Sequence, residues 1–196
     1  MWSVLTQAHG ALRSVVAEVG DDQWALRTPC EKWNVAQVVR HASGDQLGYA
    51  AAITGVGGPT EDPFAPSEGR PEPSSVGAAL DAAAAAFATI EPGTPEVPSP
   101  LPIGPLSAES VVSAAALDAA VHAWDVAVAL GRPSPLTPEL AEQLMPIAEV
   151  MAGPLRAFAF GPAIEGEPGD DAAARLLRFL GRRPDWPPAG LGTLGS

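Results

Sequence analysis

An all-α bundle is the fold class this sequence predicts, and three observations lead to it. Apolar residues recur at three-and-four spacing through several long segments. The stretches between them are rich in glycine, proline and acids. The only candidate for extended structure, TPEVPSPLPIGPL, is punctuated by proline and has room for a short strand or hairpin at most. Helices of this kind bury their apolar stripes against one another, and sites are built from side chains on facing helices.

The first helix is predicted from apolar positions 4, 5, 8, 12, 15, 16 and 19, closed by Gly20, Asp21 and Asp22. A linker, DDQWALRTPCEKW, leads to Asn34, a helix N-cap with Gln37 three residues on, and this second helix runs over 34–55. GVGGPTEDPFAPSEGRPEP has no periodicity and reads as a loop. The alanine-rich SSVGAALDAAAAAFATI forms the third helix. Ser107 opens the fourth and longest, which ends at Gly131 in the C′ position with Pro133 beyond. A fifth runs from Pro138 to about residue 158, where Pro146 and Pro154 should kink or break it. DDAAARLLRFLGRRPDWPP supplies one more helical stretch.

At 196 residues the chain fits a single domain, 1–186, followed by a flexible tail, 187–196. Its formal charge of −12 repels a phosphate backbone, so nucleic acid is not an expected partner. Arg175, Arg178, Arg182 and Arg183 cluster near the end and read as a solvated helix face. A single cysteine, Cys30, excludes internal disulfides and multi-thiolate zinc sites and suits a reducing cytoplasm. The N-terminal stretch has no basic region followed by an apolar core, and no run of about 18 uninterrupted apolar residues occurs, so neither secretion nor a membrane is expected.

Histidine is scarce, and two of the three are placed as a metal site would place them. His122 lies one helical turn after Asp118 in LDAAVHAWDVAVALG, so both share a face. His41 sits on a polar-and-small stripe of the second helix with Gln37, Gly44, Asp45 and Gly48, which implies a helix bordering a cavity. Two imidazoles and a carboxylate would hold a divalent ion and leave positions open for catalysis. The alternative is a hydrogen-bonded pair in which Asp118 orients His122. Asp125, three residues past His122, is a partner for that imidazole, a general base or a surface acid. His9 points inward from the first helix and, with Gln37, Asp45 and Asp125, is a candidate catalytic or positioning group. Cys30 precedes a helix start, where a thiolate is favoured, although a small apolar residue there explains it as well.

The phrases TPCEKWNVAQVVRHASG, LDAAVHAWDVAVALG and RLLRFLGRRPDW together resemble the actinobacterial branch of the DinB/YfiT-like metal-binding helical bundles. Within it they are similar to the metal-binding domain of mycothiol-dependent maleylpyruvate isomerase, over roughly residues 3–186. The resemblance implies an up-down-down-up four-helix bundle with extra C-terminal helices. It also implies a divalent metal, usually zinc, held by His41, Asp118 and His122. It further implies mycothiol as a cosubstrate, deprotonated at the metal to attack an electrophile.

Two departures stand beside it. The carboxylate ligand is often glutamate in relatives and is Asp118 here. A chain of this length is not expected to contain the second domain of the full isomerase, so maleylpyruvate isomerisation itself is not expected. The expected function is a mycothiol-dependent transferase or isomerase acting on a small electrophilic metabolite. The alternatives are a non-catalytic metal- or ligand-binding module, including a homodimer formed through Ala82 to Ala86, and a thiol-independent biosynthetic enzyme using the same pocket.

Overall fold

The computed structural model describes residues 2–157 and 159–187. Of the tail expected at 187–196, only Pro187 lies within them. Among the described residues six helices make up the regular structure: α1 (Ser3–Ala17), α2 (Val35–Thr54), α3 (Pro73–Ala88), α4 (Ala108–Ala129), α5 (Pro138–Leu155) and α6 (Ala172–Phe179). Among the described residues the only β pairings are two isolated bridges, Arg27 with Asn34 and Val97 with Leu106. The second of these is the short extended segment expected in the proline-rich stretch.

Helices α1 to α4 close a ring in which α1 packs on α4 and α3, and α2 packs on α3 and α4. α5 covers α4, and α6 covers α5. α4 is therefore enclosed from several sides, which explains why alanine, valine and leucine occupy almost its whole circumference. Ala114 to Leu117, Ala119 to Val121, Ala123, Val126 and Ala127 are all buried. By length and composition α4 could cross a membrane, but 83% of its most apolar stretch is buried inside the protein.

The caps follow the sequence. Asn34 accepts the Gln37 N–H while the Gln37 side chain accepts the Asn34 N–H, a complete capping box. Ser107, Thr137 and Asp171 cap α4, α5 and α6 through side-chain oxygens. Gly131 takes φ 67° just beyond α4, and its N–H and that of Arg132 return to the carbonyls of Val128 and Ala127.

The expected break in α5 does not occur, and the helix continues through Pro146 and Pro154. Both prolines are exposed, as is Glu142 one turn earlier, so the carbonyl that Pro146 leaves without an N–H partner lies on the solvent side. On the opposite face Leu140, Leu144, Ile147, Met151 and Leu155 remain packed, and that burial holds the helix together.

Candidate metal centre

Packing of α2 on α4 sets His41 against Asp118 and His122. Each imidazole is oriented by a partner at Nδ1. The His41 Nδ1–H donates to the carbonyl of Pro63 at 2.8 Å. The His122 Nδ1–H donates to Asp125 Oδ2 at 2.9 Å. Both Nε2 atoms are thereby turned toward Asp118, each 3.4 Å from its Oδ1. His41 is packed between the Trp33 ring, at 4.5 Å between centroids, and the edge of Phe64 at 5.4 Å.

Sequence accounts for much of this. Gly44 faces the loop after α2, and a Cβ there would stand 3.1 Å from Pro63 Cγ. The glycine lets the loop lie close enough for the Pro63 carbonyl to meet His41. The stripe read as bordering a cavity thus divides: Gly44 and Gly48 receive Pro63 and Pro100, while His41 and Asp45 line open space.

The donor set fits a divalent metal. Ligands placed on a tetrahedron about 2.0–2.2 Å from zinc stand roughly 3.4 Å apart, the separation of both Nε2 atoms from Asp118 Oδ1. All three ligand atoms lie within 4.8 Å of one another. Asp118 Oδ2 is buried without a hydrogen-bond partner, an orphan acceptor that a cation would satisfy. The shorter aspartate still reaches both imidazoles. At 3.4 Å these are longer than ordinary N–H···O hydrogen bonds, and His122 is oriented by Asp125 rather than by Asp118.

Burial works against a charged His41. The Asp118 and Asp45 carboxylates and the Pro63 carbonyl outweigh it and raise the imidazole to about 9. Burial likewise opposes ionisation of Asp118, yet His122 and His41 hold its carboxyl below the ordinary value. A proton on His41 thus balances the carboxylates when no cation does. Asp45 lies one turn beyond His41, with Oδ2 at 3.8 Å from His41 Nε2. Burial, and then the charge of Asp118, raise its carboxyl well above the usual range.

The triad lies on the wall of a cavity of about 420 Å³, also lined by Trp33, Asp45, Tyr49, Phe64, Leu117, Val121, Met151 and Leu155. Of the remaining candidates, Asp45 faces this cavity, whereas His9, Gln37 and Asp125 are not among its lining residues. His9 donates from Nε2 to Gln46 Oε1 at 2.8 Å inside the core, where burial lowers its imidazole. Gln46 in turn donates to the Ala115 carbonyl, so the pair ties α1, α2 and α4 together. Gln37 is committed to the capping box and to the Pro66 carbonyl.

Asp125 is fully buried, which removes the surface-acid reading, and it sits behind His122. Cys30 borders the cavity, but burial, reinforced by the charge of Asp125, pushes its thiol up to about 12, far from a thiolate nucleophile.

The arginine cluster is not the solvated face expected. Arg178 is buried and paired with Glu167 and Asp170 at 2.8 and 3.0 Å. Arg182, also buried, grips Asp125 through Nε and Nη2, both at 2.9 Å. Arg175 and Arg183 are exposed. The signal for Arg182 lay at its partner: a carboxylate on the apolar circumference of α4 needs a buried counter-charge. Trp33, Phe64 and the Pro63 carbonyl carried no comparable signal, because loop packing alone brings them to His41.

Comparison with known proteins agrees with this architecture. Two uncharacterized proteins of Mycobacterium tuberculosis, from strains CDC 1551 / Oshkosh and ATCC 25618 / H37Rv, are each 31% identical over 183 residues. Each alignment covers 90% of this chain and 94% of the relative. No solved structure matches at a significant level. Residues 5–127, which hold α2, α3, nearly all of α1 and α4, and the whole triad, match the family described as the mycothiol maleylpyruvate isomerase N-terminal domain. With its helical bundle and its His41, Asp118 and His122 cluster, this chain belongs to that family.

Proposed function

We propose that this protein is a metal-dependent, mycothiol-using transferase or isomerase acting on a small electrophilic metabolite. The observation that carries the reading is the convergence of His41, Asp118 and His122 on one point of an otherwise mostly apolar cavity, with both imidazoles held at Nδ1. His41, Asp118 and His122 would hold the cation, zinc by the chemistry of the donor set. When bound, such an ion supplies charge that favours the anion of a thiol and polarises a carbonyl.

The rest of the chemistry falls to the protein's own groups. Asp45 borders the cavity one turn beyond His41, placed to exchange a proton with a thiol held there. Trp33, Phe64, Val121 and Met151 restrict water around an electrophile, and a space of about 420 Å³ is in the range of small-molecule sites. Cys30, with its thiol raised to about 12, is a poor nucleophile, which favours a thiol supplied from outside. A reducing cytoplasm keeps such a thiol available.

The test is elemental analysis of protein purified without chelator or affinity metal, paired with calorimetric titration by mycothiol. Stoichiometric zinc and saturable thiol binding are expected. Metal without thiol binding would shift the reading to a thiol-independent reaction in the same cavity. Absence of both would point to a non-catalytic ligand-binding module.

A further inference from the structure

The partner of Asp125 comes from beyond the matched stretch of 5–127. α6 buries Ala173, Leu176, Leu177 and Leu180 and packs on α5. It ends in a Schellman turn, in which the Gly181 N–H returns to the Arg178 carbonyl at 3.0 Å and the Arg182 N–H to the Leu177 carbonyl at 2.8 Å. Gly181 has φ 81°, and a Cβ there would lie 2.8 Å from the backbone of Gly161 and 2.9 Å from the Pro162 carbonyl. Only glycine fits, so the chain leaves α6 in one direction and carries Arg182 inward.

There the guanidinium meets Asp125 as a two-pronged fork, Nε on Oδ1 and Nη2 on Oδ2, each at 2.9 Å. The same Oδ2 accepts the His122 Nδ1–H at 2.9 Å. Asp125 has no exposed surface and Arg182 is 8% exposed, so the fork is largely shielded from bulk water.

We infer that Arg182 is a positioning residue of the metal centre: by fixing the Asp125 carboxylate it holds His122 with Nε2 toward Asp118, so that α6 and its terminal turn complete a site whose ligands all lie on α2 and α4. The Asp125 side chain has several staggered conformers open to it, and the observed one serves His122. The fork selects it. Partners behind a metal-bound histidine set its tautomer and ring orientation, and their loss costs roughly ten- to hundredfold in metal affinity. Lysine in place of Arg182 would keep the charge but lose the second prong.

This inference rests on the proposed metal site, and the test separates the two. Full-length wild type, Arg182→Met and Arg182→Lys are stripped with chelator. Zinc affinity is then measured by competition with a chromophoric chelator, the visible spectrum is recorded with cobalt(II), and the ring nitrogens of His122 are assigned by NMR. Arg182→Met should bind zinc roughly ten- to hundredfold more weakly, with an altered cobalt spectrum, and Arg182→Lys should fall between it and wild type.

Wild-type affinity and spectrum in a folded Arg182→Met variant would overturn the role. Should that variant not fold, wild type alone decides: His122 is expected to carry its proton on Nδ1, and a proton on Nε2 would overturn the inference. A wild-type chain that bound no metal would defeat the proposed function, while the His122 tautomer in wild type and variant would still decide whether Arg182 positions the ring.

Discussion

Replacing His122 by alanine should remove one of the three proposed donors and leave the protein's scaffold in place, because the neighbouring Asp125 and Arg182 remain paired with each other. Apparent binding energies of structural zinc run from about 10 kcal/mol upward over four ligands, so each donor contributes on the order of 2.5 kcal/mol. Loss of one should weaken zinc roughly sixtyfold. Asp118 would keep His41 at 3.4 Å as its only remaining imidazole partner. Competition against a chromophoric chelator at pH 7.5 measures the affinity, and far-ultraviolet circular dichroism reports the helices. A His122→Ala variant that is still helical and binds zinc within twofold of the parent would refute the coordination. A loss of metal accompanied by collapse of the helices would show that His122 acts chiefly in the fold.

Four other outcomes follow from the same structure. His41 is raised to about 9 from an ordinary 6.5, so its charge contributes stability that is fully present below 6.5 and lost as pH rises through 9. Chelated protein should therefore melt at a lower temperature at pH 9.5 than at pH 6.5, whereas zinc, which displaces that proton, should flatten the dependence and release protons on binding at pH 7.5. Asp125, held down to about 2 by Arg182 and His122 against its own burial, contributes stability present above 3.8 and lost as pH falls through 2. Acid titration of Asp125→Asn should lack that part of the transition.

Cys30, raised to about 12, is on the order of one part in ten thousand thiolate at pH 8. Native protein should react with a disulfide reagent far more slowly than denatured protein, and Cys30→Ala should retain zinc binding. Gly181→Ala forces a Cβ to 2.8 Å from the Gly161 backbone at φ 81°, a cost of about 2 kcal/mol or more by thermal melting. Unchanged melting would contradict the tight turn that aims Arg182.

Helix by helix, local information was sufficient wherever a stripe and a cap agreed. Asn34 with Gln37, Ser107 and Gly131 mark boundaries that the structure keeps within a residue. α5 departed from its local signal because Pro146 and Pro154 fall on the solvent side, and the packed face opposite outweighs the hydrogen bonds they forfeit. At the centre, spacing four on α4 was enough to pair Asp118 with His122. The composition of α4 did not reveal which groups stand behind them.

By itself, then, the sequence determined the helices, the four-residue spacing that puts Asp118 and His122 on one face, and the choice of His41, Asp118 and His122 as candidate donors. These follow from periodicity, capping and side-chain chemistry, all of which act over a few residues. Only the tertiary structure decided that His41 meets them across α2 and α4, that Pro63 and Asp125 set the two imidazoles, and that Arg182 leaves the expected surface for the interior. Those are contacts between residues far apart in the chain, 57 positions in the case of Arg182 and Asp125. The physical reason is that a buried charge is tolerable only beside its counter-charge. Where that counter-charge comes from is settled when the helices pack.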